Sequence, residues 1–171
     1  MEFPGHSPTR KSRSFGRRCN PWLNLGFGGS SFRAIWDQSA IELYKVADKG
    51  DPAALAQLRA LGDKGDATAQ SALGFLYSKG DGVPKDLVQA VFWYRKSAEQ
   101  GNAVAQNSLG AMYENGNGVP KDLVIAYMWK NLAAYQGYET AKRAREALGK
   151  IMTSAQIAEA QRLSYEWEPK P

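Results

Sequence analysis

From about residue 34 onward, alanine, leucine and aromatic residues recur at spacings of three and four, the signature of helices with one packed face. The period predicts a helix from about Ala34 to Asp48. Asp51 followed by Pro52 supplies an N-cap with proline at the first helical position, opening a second helix to about Leu61. A third runs from about Ala67 to Lys79 and stops at Gly80, where a residue without a β-carbon can adopt the left-handed conformation that closes a helix. The loop Gly80-Asp81-Gly82-Val83-Pro84 turns the chain, and Asp86 is placed to cap a fourth helix ending near Glu99.

Residues 65–100 align without a gap to residues 101–136 and share 19 of 36 positions, a period in the helical-repeat range. Gly116, the loop from Asn117 to Pro120, and Asp122 therefore repeat the same stop, turn and cap. After the copies, Glu139 to Ile151 reads as one more helix. Thr153 with Gln156 three residues on forms a capping box for a last helix to about Trp167. The expectation is eight helices in four antiparallel pairs, with residues 34–64 a degenerate first pair and 137–168 a capping last pair.

Within each copy the repeated positions lie on one arc. Ala69, Gln70, Leu73, Gly74 and Tyr77 form the expected packed side of the first helix, with Thr68, Ser71, Phe75 and Lys79 opposite. Gly74 and Gly110 each cost a helix about 1 kcal/mol against alanine, a cost that makes sense where another element approaches closely. Leu87, Ala90, Trp93, Tyr94 and Ala98 form the matching stripe of the second helix, and Leu123, Ala126, Trp129 and Ala134 follow in the next copy.

The recurring set Ala69, Leu73, Gly74, Tyr77, Gly80, Gly82, Val83, Asp86, Ala90, Trp93 and Ala98, with its counterpart from Ala105 to Ala134, resembles the Sel-one-like repeat, a 36-residue relative of the tetratricopeptide repeat. The resemblance covers the two full copies; the last pair lacks the Gly-x-Gly-Val loop. It implies an all-α fold, a right-handed α-solenoid of antiparallel helix pairs, and a non-catalytic adaptor or scaffold that binds another protein or peptide on its concave side. Thr68, Ser71 and Phe75, with Val104, Asn107 and Ala111 one repeat later, would line that groove. Some family members with a cysteine pair in each repeat are linked to β-lactams; this chain lacks those cysteines.

The copies differ on the outer arc of the second helix. Gln89, Phe92, Lys96 and Glu99 in the first become Ile125, Met128, Leu132 and Tyr135 in the next. Either the C-terminal pair covers this arc through residues such as Ala144, Leu148, Ile157 and Leu163, or it is a second surface for a partner or a homodimer.

Charge changes the picture only at the front of the chain. Net charge is +5, and the excess sits before Asp37, where Arg10, Lys11, Arg13, Arg17, Arg18 and Arg33 face a single Glu2. Residues 1–33 read as a disordered basic arm. Arg17-Arg18 ahead of Trp22 to Phe32 is similar to a twin-arginine export signal, and the lack of acids also fits an organelle transit peptide or an upstream-extended start. The alternative function is an accessory protein whose arm targets it to nucleic acid or an anionic surface, or exports it. Deleting residues 1–33 separates the two, since a scaffold keeps its partner and an arm-driven protein loses it.

Candidate chemistry is sparse. Cys19 and His6, the single cysteine and histidine, both precede the helices, so the repeats hold no disulfide, no zinc site of the usual Cys/His kind and no histidine-based dyad or triad. Asp81 and Asp86 read as turn and cap residues, because their loop lacks the alternating oxygens of a calcium loop. No window reaches the length of apolar sequence a membrane span requires. The expected picture is therefore not an enzyme, with no cofactor, metal or small-molecule substrate, no nucleic-acid partner in the main reading, a monomer or weak dimer, and a cytoplasmic location unless the arm directs export.

Overall fold

A computed structural model describes residues 39–170 of the 171. The basic arm and the start of the first predicted helix lie outside the described residues. Within them the chain is helical throughout: α1 (39–47), α2 (Pro52–Asp63), α3 (Ala67–Lys79), α4 (Leu87–Glu99), α5 (Ala103–Asn115), α6 (Leu123–Tyr135), α7 (Glu139–Gly149) and α8 (Ser154–Glu166). Each start has a chemical cause. The Asp51 carboxylate accepts from Ala53 N at 2.8 Å, Asp86 from Val88 and Gln89 N at 3.0 Å, and Asp122 from Val124 N at 2.9 Å, removing amides that the first helical turn leaves without partners. Thr153 and Gln156 close the expected capping box, and the Asp66 and Asn102 side chains cap α3 and α5 by accepting from Ala69 N and Ala105 N. Tyr138 precedes α7 without a side-chain cap.

α3 packs on α4 and α5 on α6 as hairpins, while α2 against α3 and α4 against α5 join successive pairs. Gly74 explains itself here: a β-carbon on it would lie 2.6 Å from the ring of buried Tyr94, so the α3–α4 approach requires its absence. A polar ladder runs between the pairs. Gln136 Nε2 donates to Gln106 Oε1 at 2.8 Å and Gln106 Nε2 to the Ala98 carbonyl at 3.2 Å; one repeat earlier Gln100 donates to Gln70, and Gln70 to the Gly62 carbonyl. Arg59 to the Tyr77 hydroxyl and Arg95 to the Tyr113 hydroxyl form a second rung at the same period. Gln70 and Gln106 are fully enclosed, so this ladder sets register between repeats that apolar contact alone would leave free to slide. Gln106→Leu keeps the volume and removes both bonds; a loss of about 1–3 kcal/mol is expected, read as a lower urea midpoint at unchanged m-value.

The last two helices do not form a hairpin of the kind seen before them. α6 receives both α7 and α8. Leu148, Met152 and Ala160, with Ile157, enclose Ala126 and Tyr127 on one side of α6. On another, Leu163 and Trp167 pack into the main core with Met128, Trp129 and Leu132, the Trp129 and Trp167 rings meeting edge to face at 6.0 Å. The chain then runs back to α4, where Lys170 N donates to the Glu99 carbonyl at 2.8 Å.

Candidate functional site

The first helices of successive pairs, α1, α3 and α5, wall a pocket of about 330 Å³. Four residues expected in the groove line it: Thr68, Ser71, Phe75 and Val104. Ile41, Tyr44, Ala72 and Asn102 complete the wall. The lining is apolar and open: Phe75 is 38% exposed, Ile41 41% and Val104 49%. Gathered around one hollow rather than scattered singly, they mark a candidate contact surface. Asn107 and Ala111, also expected here, are half-buried on α5 and take no part in the lining.

Packing fixes the shape. Tyr44 and Phe75 meet edge to face at 5.8 Å between ring centres, which holds α1 and α3 at one spacing. Tyr94 of α4 reaches Ser78 of α3 and Ser108 of α5, tying the other two walls; burial pushes its phenol up from the ordinary value, opposed by those two hydrogen bonds. Burial raises the Tyr44 phenol as well, with the carboxylates Asp48 and Asp81 adding to the shift. Lys79 Nζ lies 5.7 Å from the Phe75 ring centre. One end of the groove is thus marked by Asp48, Asp81 and Lys79 around an aromatic pair.

The groove offers apolar contact edged by a few charges, which suits side-chain recognition. Among the described residues there is no cluster of three or more His, Cys, Asp or Glu, and no helix is long and apolar enough to cross a membrane. Ile41, Tyr44, Ala72 and Asn102 escaped the sequence reading. Ile41 and Tyr44 do carry a signal, an apolar pair three residues apart on α1, but that helix has no aligned copy to number it against.

The second surface needs correction. Met128 and Leu132 are buried beneath α8, whose Ser164 hydroxyl faces the Met128 carbonyl at 3.4 Å, and Ile125 is half-buried; only Tyr135, 72% exposed, remains at the surface. The arc is core because a helix within the same chain covers it. Leu163 does so as anticipated, whereas Leu148 and Ile157 serve the separate cluster around Tyr127.

Comparison with known proteins agrees with this architecture. The Sel1 repeat family matches residues 67–102 and 103–138, two residues later than the units read from self-alignment. A Sel1 repeat protein from Oxalobacter formigenes is 33% identical with a TM-score of 0.57, over 69% of this chain and 96% of that one. A protective antigen of uropathogenic Escherichia coli strains that displays an SLR fold is 31% identical with a TM-score of 0.71, over 81% of this chain. This chain spans 31% of that protein's length. No curated protein matches the chain at a significant level.

Proposed function

We propose that this chain, which belongs to the Sel1 repeat family, is a non-catalytic scaffold that binds a protein or peptide in the groove between α1, α3 and α5. Members of the family generally serve as protein-interaction scaffolds. The observation that carries the reading to a particular face is the exposed apolar trio Ile41, Phe75 and Val104 around one open pocket. Each is still 38–49% exposed, so covering the remainder contributes on the order of 1 kcal/mol per side chain, and the three together can anchor a partner.

Phe75→Glu with Val104→Glu places two charges in the groove; it gives up the Tyr44–Phe75 ring contact, worth about 0.5–1.5 kcal/mol, but leaves the packing of α3 on α4 and of α5 on α6 in place. Affinity capture with the full chain, quantified by mass spectrometry, is expected to lose its specific partner at least tenfold while the thermal transition stays within a few degrees of the parent. Tyr165→Glu, on an exposed position of α8, serves as the control that keeps the partner. A partner retained by the groove variant and lost by the control would sink the reading.

A further inference from the structure

The groove and the segment that precedes α1 suit one another. At about 330 Å³ the pocket is at the small end of ligand sites, the size of a few side chains rather than of a folded surface. Two of its walls, Ile41 and Tyr44, belong to the helix into which residues 1–38 lead. The run Trp22-Leu23-Asn24-Leu25-Gly26-Phe27 lies in that stretch, ahead of the helix read from Ala34. Leu23, Leu25 and Phe27 alternate with Asn24 and Gly26, so an extended backbone turns all three to one side.

Length and composition allow the return. Residues 28–33 separate Phe27 from the helix read from Ala34 and open with Gly28-Gly29-Ser30-Ser31, a composition that imposes no fixed span. Fully extended they reach about 20 Å, comparable to the roughly 20 Å of the two helix spacings from α1 to α5. Tethering at that length gives an effective concentration on the order of millimolar, so even a weak apolar contact stays occupied.

We infer that the groove is occupied in cis by the chain's own segment Trp22–Phe27, with Leu23, Leu25 and Phe27 seated on Ile41, Phe75 and Val104. The inference rests on the groove being a binding face and names its resident competitor: an incoming partner must displace this segment.

Cys19, the one cysteine, permits a direct test on the full chain. A nitroxide attached there, with the protein labelled with nitrogen-15, is expected to remove more than half of the amide intensity at Ile41, Ala72, Phe75 and Val104 while sparing Val88 and Phe92. Leu23→Ser, Leu25→Ser and Phe27→Ser together should restore the groove signals and raise partner capture several-fold. Uniform attenuation, attenuation away from the groove, or attenuation indifferent to the triple variant would overturn the inference. So would groove attenuation that appears only when spin-labelled and isotope-labelled chains are mixed, which assigns the seat to a second copy. The capture experiment with Phe75→Glu and Val104→Glu does not involve the label: if it loses the partner while the nitroxide leaves the groove untouched, the binding face stands and only its occupation in cis fails.

Discussion

Met128→Glu combined with Leu132→Glu is expected to abolish the cooperative fold. Both side chains lie under α8 and pack with Trp129, Leu163 and Trp167. Each replacement removes roughly 2–3 kcal/mol of apolar burial, and each adds an unpaired carboxylate whose removal from water costs several kcal/mol more. Their sum reaches or exceeds the 5–15 kcal/mol by which domains are usually stable. Circular dichroism should show no sigmoidal melt, or one lowered by tens of degrees. Tyr135→Glu lies on the same arc but in solvent, and a change within about 0.5 kcal/mol is expected. A double variant that melts like the parent would show that α8 does not cover α6, and would reopen that arc as a docking face.

Gly118→Ala, like its counterpart Gly82→Ala one repeat earlier, should be among the most damaging additions of a single methyl group to the described residues. Gly118 has φ +70°, and a β-carbon there would press into the Leu87 carbonyl oxygen and stand 2.6 Å from its carbon, both backbone atoms at the start of α4. The left-handed backbone alone costs a non-glycine residue about 1–3 kcal/mol; the backbone collision forces the 117–120 loop off the preceding repeat, adding an overpacking cost of about 1–3 kcal/mol. Gly137→Ala isolates the first part, because Gly137 has φ +83° and nothing within 4 Å of the added carbon. The expected order is a loss of about 1 kcal/mol at Gly137 and at least twice that at Gly118, read from urea midpoints of the two variants. Equal losses would mean that repeat-to-repeat contact through this loop contributes nothing.

These results separate two kinds of information. Helix limits were legible because they depend on neighbours in sequence: an aspartate before an apolar run, a glycine after it, a proline in between. Asp51, Asp86, Asp122 and Thr153 cap where expected, and Asp66 and Asn102 obey the same rule. The repeated arc of α3, α4 and α5 was legible for a similar reason, since two copies keep what the interface demands and vary elsewhere; α6 is buried well beyond that arc, at Tyr127, Met128 and Leu132. The groove was read in part. Thr68, Ser71, Phe75 and Val104 line it, but Asn107 and Ala111, one helical turn and two beyond Val104, pass the end of the pocket because α1 and α3 wall only its first part.

By itself the chain of residues determined the helices, their repeat and the arc the two copies share, because caps, turns and 3.6-residue periodicity act over a few positions and recur every 36. Tertiary structure alone decided which buried-looking faces meet which partners. An apolar arc such as Ile125, Met128 and Leu132 records only that water must be excluded. Whether a helix of the same chain or another molecule excludes it depends on where α7 and α8 come to rest, and that follows from packing across dozens of intervening residues rather than from any local pattern.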